Sequence, residues 1–207
     1  MIAEFLIRVR DNLSTDLSDL DAIFENRWRS ARVLDSDKTV NRRAVTLKLV
    51  HEYWKTNQAD FGHPLKLEER FRLDLGDVRL EGIVDRVEDL GSGKVEVIDY
   101  KSGAAPPGNP AENNLQLSIY ALACQEAWGL SPTAVSLYFL TGNSTRTASI
   151  TNRQLEATKK VISSTAAQIR TRDFPPRIDS HCNDCDFLQQ CSYGLSWTRE
   201  NCVPSST

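Results

Sequence analysis

Gly82-Ile83-Val84-Asp85-Arg86-Val87 and, after Gly91-Ser92-Gly93, Val95-Glu96-Val97-Ile98-Asp99-Tyr100-Lys101 are two short β-branched runs that carry acids where a buried strand should carry none. Their composition, and the glycines between them, read as neighbouring antiparallel strands. An ionised side chain at the end of a buried strand costs on the order of several kcal/mol unless it is paired or binds a metal. Asp85, Asp99 and Lys101 together meet both conditions. Two carboxylates converging on one point make a hard-oxygen site suited to Mg²⁺ or Mn²⁺. Lys101, two residues after Asp99, falls on the same strand face, where it can orient a water or hold a phosphate.

Upstream of these strands, residues 1–58 read as helical. Phe5, Leu6 and Val9 make a first apolar face, and Ser14-Thr15-Asp16 is a capping signal for a helix through Leu17, Leu20, Ile23, Phe24 and Trp28. Asp35-Ser36-Asp37 marks a break before a further helix through Ala44, Leu47, Leu49, Val50, Tyr53 and Trp54. The aromatic residues of this part read as core rather than as stacking platforms for bases. Pro64 ends the helical part, Leu65–Leu75 alternates as a strand, and Gly76-Asp77 turns the chain into Val78–Glu88. Downstream, the loop Pro106-Pro107-Gly108-Asn109-Pro110 leads into a helix expected from about Pro110 to Trp128, with Cys124 on its apolar side as a core thiol. Ala134–Leu140 reads as a buried strand, Gly142-Asn143 as a hairpin turn closing at Ile150, and residues 151–172 as an amphipathic helix. Helices, a small mixed β-sheet and helices again make an α/β or α+β sandwich around one sheet. The expected organisation is an N-terminal helical part at 1–63, a sheet-bearing core at 64–172, and a cysteine-rich segment with a tail at 173–207.

At 207 residues the chain is long enough for one substantial core, and its apolar (40%) and charged (26%) fractions are those of a globular protein. A formal net charge of −3 gives no global attraction to nucleic acid, so any DNA contact requires a local basic groove. No apolar run is long enough to span a membrane, and charges interrupt the N-terminus too early for a signal-peptide core, so the expected location is cytoplasmic. Four of the five cysteines follow position 180, which argues against a distributed disulfide framework and for a local metal site.

Taken in order, Gly82-Ile83-Val84-Asp85-Arg86, then Asp99-Tyr100-Lys101, then Gln116-Leu117-Ser118-Ile119-Tyr120, then Cys182-x2-Cys185-x5-Cys191 resemble the PD-(D/E)xK nuclease superfamily. Within it they resemble the RecB-like branch, whose members often carry an iron–sulfur cluster. The resemblance covers roughly Leu65 to Cys191 and implies a restriction-endonuclease-like core with a C-terminal Cys-rich metal-binding segment. It implies Asp85, Asp99 and the backbone carbonyl of Tyr100 as ligands of Mg²⁺ or Mn²⁺, with Lys101 positioning water or neutralising the transition state. Gln116 and Tyr120, spaced i and i+4, share one helix face, which in the family looks toward the active site. Glu68 resembles an acid that relatives carry on the preceding strand, with adjacent Glu69 leaving the register open. His51 is nominated because relatives often use an upstream histidine, although no Gly-x-x-x-His pattern precedes it here.

The same resemblance assigns Cys182, Cys185 and Cys191 to a 4Fe–4S cluster completed in relatives by an N-terminal cysteine. This chain has no cysteine before Cys124, so the fourth ligand falls to Cys202 or to sequence further upstream, and a tetrahedral Zn²⁺ site using His181 or Cys202 is the alternative. The function implied is that of a metal-dependent deoxyribonuclease in DNA repair or recombination, with DNA and a helicase domain or subunit as partners. The competing reading is a catalytically silent DNA-binding or scaffold module of the same fold. Arg86, and Arg42, Arg43 and Lys48 on the upstream helix, are the cations nominated for a DNA groove; a solvated helical face is the alternative for the last three.

Overall fold

Period-2 alternation of Val, Ile and Asp builds the central strand β3 (Lys94–Ala104), which buries Val95, Val97 and Asp99 on one side. Around it, the computed structural model, which describes residues 1–13, 16–31 and 37–201, forms a five-stranded sheet in the order β1-β2-β3-β4-β5. β1 (Pro64–Leu75), β2 (Val78–Gly91) and β3 are successively antiparallel, β3 and β4 (Ser131–Thr141) are parallel, and β5 (Ser144–Ser149) returns antiparallel. A parallel pair needs a crossover connection, and α4 (Leu115–Trp128) supplies it.

Two buried clusters sandwich the sheet. On the first face, Leu117, Ala121 and Leu122 of α4 and Leu155 and Ile162 of α5 (Asn152–Thr171) pack with Val87, Val97 and Leu137. On the second, Phe5 and Leu6 of α1 (Ile2–Arg10), Leu20 and Phe24 of α2 (Leu17–Ser30) and Val50 and Tyr53 of α3 (Asp37–Asn57) pack with Leu67, Tyr100 and Tyr138. The fold is thus the expected mixed sheet flanked by helices. The chain divides into two compact units, Met1–Ser163 and Ser164–Thr207. The second contains two short 3₁₀ turns, Ser180–Asp184 and Leu188–Gln190, and α6 (Ser192–Asn201).

One boundary differs from expectation. The helix expected from Pro110 begins at Leu115, because Asn114 takes an extended conformation and its side chain accepts from the Leu117 amide as an N-cap. Residues ahead of it form a turn in which the Asn109 side chain accepts from Ala111 N and Asn113 has φ +55°. Of the upstream signals, Asp16 is the N-cap residue of α2, while Ser14, Thr15, Asp35 and Ser36 lie outside the described residues. Cys124 is fully buried on α4, and burial pushes its thiol up to about 12, as a core thiol requires.

The second face also holds a buried ion pair. Arg86 and Glu88 are both buried, with Arg86 Nε 2.7 Å from Glu88 Oε2 and Arg86 Nη2 donating to the Phe61 carbonyl at 2.7 Å. The Glu88 Oε1 atom accepts from the His63 amide. The connection that wraps this pair passes through Gly62 at φ +74°, where a Cβ would collide with Glu88 Oε1 and lie 2.6 Å from Arg86 Nη2. Disturbing one partner of a buried pair is expensive, because the other is left charged and unpaired. Gly62→Ala is therefore expected to lower stability by roughly 3 kcal/mol in urea unfolding. Gly76→Ala, at φ +71° but with open space around it, should lose only about 1 kcal/mol. Equal losses would mean that backbone conformation alone, and not the packed ion pair, makes Gly62 necessary.

Candidate active site

Strand β2 changes face in the middle of its motif. Val84 and Val87 both belong to the first-face cluster although they are three residues apart, a spacing that regular alternation forbids. The slip falls at Asp85–Arg86. Opposite it, the ladder pairs Leu67 with Arg86 and Glu69 with Val84, and Glu68, between them, has φ +45°. The register is unbroken across this point, so the face change is a backbone distortion with no inserted residue, and distortions of this kind re-aim side chains and cluster at functional sites. Here it sends Arg86 to the second face and frees Asp85 to reach across to β3.

There the β2–β3 ladder has already ended, with Arg86↔Ile98 its last pair. Asp85 Oδ2 accepts the Tyr100 backbone N–H at 3.0 Å, replacing the carbonyl that a continued ladder would offer. Asp99 is only 3% exposed, and Lys101 Nζ lies 2.7 Å from its Oδ2. That approach is not aligned as a hydrogen bond, so Oδ2 remains a buried oxygen that accepts none. The same Nζ donates to Gln116 Oε1 at 3.0 Å, and Gln116 Nε2 donates to the Tyr120 hydroxyl at 2.9 Å. Asp99, Lys101, Gln116 and Tyr120 therefore form one connected set, and Asp85 meets it through the Tyr100 amide between Asp99 and Lys101.

Electrostatics agree with the convergence. Burial, foremost, holds the Asp85 carboxyl above the ordinary carboxylate range, and the charges of Asp99 and Glu68 add to it against the Tyr100 amide and Lys101. Burial likewise raises the Tyr120 phenol, with Asp85 and Asp99 contributing. Glu68, not Glu69, is the acid beside Asp85. It lines with Asp85, Tyr100 and Met1 a cleft of about 200 Å³, and its Oε1 is 4.0 Å from the Met1 amine. Sequence reasoning missed Phe71, whose ring packs edge-on against Tyr120 at 6.0 Å between centroids. The available signal was Gly82, where a Cβ would lie 2.6 Å from the Phe71 ring.

The structure does not bring His51 to this set. α3 packs on the second face, away from Asp99 and Lys101, and His51 Nε2 lies 2.5 Å from Asp21 Oδ1 of α2. Of the three α3 cations, Arg43 pairs with Glu25 and sits 5.6 Å above the Phe24 ring, and Lys48 is 3.7 Å from Glu52. Arg42 is exposed. Cys182, Cys185 and Cys191 are free thiols, and Cys191 Sγ accepts the Gly194 amide at 3.3 Å. Cys202 lies outside the described residues. Among the described residues no three or more His, Cys, Asp or Glu side chains are grouped so as to hold a metal ion, and the expected convergence of the three sulfurs is not found.

Two carboxylates and a lysine gathered where two strands of a mixed sheet part are suited to metal-assisted hydrolysis. The chain belongs to the PD-(D/E)XK nuclease superfamily, whose family model matches residues 1–192. It is 28% identical over 149 residues to the Gene 69 protein of Mycobacterium phage L5, a match that covers 68% of this chain and 49% of that protein. The chain thus spans about half the length of that relative. Two solved structures are similar at 13% identity. One is a protein designated SSO0001, with a TM-score of 0.46 over 85% of this chain and 97% of that one. The other, from Eubacterium rectale and named provisionally as an exonuclease, has a TM-score of 0.47 over 94% and 77%.

The raised Asp85 carboxyl carries a stability consequence. A carboxyl that binds its proton more tightly folded than unfolded opposes folding once the pH exceeds its unfolded value. Asp85→Asn keeps an oxygen acceptor for the Tyr100 amide and removes the charge, so the metal-free variant should melt at a higher temperature than the parent at pH 7. The difference should shrink as the pH falls, because the folded parent, with its raised carboxyl, takes up the proton ahead of the unfolded chain. A lower melting temperature at pH 7 would show that Asp85 is held by favourable partners and not opposed by its acidic neighbours.

Proposed function

We propose that this chain is a RecB-like deoxyribonuclease that hydrolyses phosphodiester bonds at the site formed by Asp85, Asp99 and Lys101. It acts in the cytoplasm on DNA, in repair or recombination, alone or beside a helicase domain or subunit. The observation that carries this reading is Asp99 Oδ2, buried and without a hydrogen bond although an ammonium stands 2.7 Å away. Buried carboxylate oxygens are rarely left in that condition, and a hard divalent cation satisfies one directly. The residues present fit Mg²⁺ or Mn²⁺, with Asp85, Asp99 and the Tyr100 carbonyl as proposed ligands. Such an ion, when bound, supplies Lewis acidity and lowers the pKa of its water.

The remaining steps belong to the chain's own side chains. Lys101, held between Asp99 and Gln116, has N–H groups left to donate to the attacking water or to a non-bridging phosphate oxygen, opposing the charge that develops there. Gln116 Oε1 gives the ammonium a second partner beside Asp99, and the Tyr120 hydroxyl accepts from the Gln116 amide and orients it. Glu68 is the second acid of the cleft that Asp85 lines, exposed and able to swing toward Asp85.

For the second unit, the proposal is that Cys182, Cys185 and Cys191 with a fourth donor bind a 4Fe–4S cluster, or alternatively Zn²⁺. Support comes from three unpaired thiols at metal-ligand spacing and from the amide hydrogen bond to Cys191 Sγ.

Asp99→Ala and Lys101→Ala are each expected to slow Mg²⁺- or Mn²⁺-dependent cleavage of DNA by about 100-fold or more while leaving metal-free DNA binding intact. Wild-type rates in either variant would reject the assignment. Protein purified without oxygen is expected to contain iron and to show the broad visible absorbance of a cluster. Colourless protein with one equivalent of zinc would select the zinc alternative, and protein with neither metal would defeat both.

A further inference from the structure

Tyr100 sits between Asp99 and Lys101, and alternation turns its side chain to the opposite face of the sheet. There its hydroxyl receives Arg86 Nη1 at 3.1 Å and lies 3.2 Å from the hydroxyl of Tyr53, which is almost fully buried. Its ring packs edge-on to Tyr53 at 5.9 Å and tilted against Tyr138 at 5.5 Å. Arg86 is not free to follow a moving phenol. Glu88 grips its Nε and Nη2, and the Phe61 carbonyl takes Nη2 as well.

The position of this bond along the strands gives it a consequence. Arg86↔Ile98 is the last ladder pair between β2 and β3. Beyond it two side-chain bonds tie the strands: the Tyr100 amide to Asp85 on one side, and Arg86 to the Tyr100 hydroxyl on the other. The first tie uses a carboxylate that the site needs. The second uses no atom of the site, yet it is anchored on the residue next to Asp85 and on the residue next to Asp99.

We propose that Arg86 and Tyr100 are positioning residues, their hydrogen bond clamping the parting ends of β2 and β3 at the separation where Asp85 and Asp99 share one divalent cation. The proposal rests on reading these two acids as the cation site. Loss of the clamp lets Asp99–Lys101 swing from β2 and spreads the carboxylates, weakening cation binding before any substrate is present.

The test is a titration of the full chain with Mn²⁺ alone, followed by the electron paramagnetic resonance signal of the free ion, beside thermal melting of each variant. Wild type is expected to take up one Mn²⁺ at a site that Asp99→Asn abolishes. If Asp99→Asn binds as wild type does, the cation site itself is refuted and the clamp with it. If that site holds, Tyr100→Phe, which keeps the ring and the Arg86–Glu88 pair, should weaken Mn²⁺ binding about tenfold, or about 1.4 kcal/mol. Tyr138→Phe removes a hydroxyl from the same aromatic cluster, one that bonds Asn57 and Asn143 but not Arg86. It should stay within about twofold of wild type even where its melting temperature falls as far. Arg86→Lys, which keeps a cation for Glu88 without the second arm of the guanidinium, should reproduce Tyr100→Phe. Wild-type affinity in Tyr100→Phe and Arg86→Lys, or an equal loss in Tyr138→Phe, would overturn the clamp while leaving the cation site standing.

Discussion

Beyond Arg86–Ile98 the central antiparallel ladder stops, and β3 continues with β4 alone as its backbone partner. A strand that leaves its neighbour inside a protein exposes amides that must find other acceptors. Asp85 is that acceptor for Tyr100, so one carboxylate both closes the ladder and faces the gap that the parting strands create. The gap receives Asp99 and Lys101 from β3 and is closed by Gln116 and Tyr120 from the crossover helix. Everything polar about the site follows from where those two strands separate.

Each of the two parting strands carries an ion pair of its own, on opposite faces of the sheet. Arg86 and Glu88 on one face and Asp99 with Lys101 on the other are ion pairs in which at least one partner is buried. Such pairs contribute little net stability, because desolvation offsets the attraction, but each fixes geometry tightly. The two differ in how completely they are satisfied. Glu88 has the guanidinium and a backbone amide, whereas Asp99 keeps an oxygen with no hydrogen bond. The fully satisfied pair belongs to the scaffold, and the incompletely satisfied one lies in the candidate site.

Local periodicity made part of this legible in the chain itself. Asp99 and Lys101 share a face because a strand repeats every two residues, and Gln116 and Tyr120 meet because a helix repeats about every four. Asp85 is different. Its strand slips phase at Asp85–Arg86 with no glycine or proline at the slip to announce it, so alternation alone could not say which way the carboxylate faces. The same slip hid which of Glu68 and Glu69 belongs to the site, since the answer lies in a left-handed backbone at Glu68, between the paired Leu67 and Glu69. His51 shows the other kind of blindness. Its partner, Asp21, lies thirty residues away on a different helix, and nothing local marks the pair. The start of α4 was readable in principle, since Asn114 is a strong capping residue three positions before an amide it can accept from.

The Gly-x-x-Asp-Arg stretch is therefore one strand doing three unlike things in five residues. Gly82 is small because the Phe71 ring lies over its Cα, and that ring is what Tyr120 leans on to hold Gln116. Asp85 is acidic where a separated amide needs an acceptor, and its Oδ2 supplies one. Arg86 is an arginine because only a forked donor can reach Glu88, the Phe61 carbonyl and the Tyr100 hydroxyl at once. Residues of one short motif thus act through opposite faces of the sheet, and the face change between Asp85 and Arg86 is what permits it. A strand of regular phase would turn Val84 from the core or Asp85 from the gap. The irregularity is the feature that lets a packed sheet also carry a site.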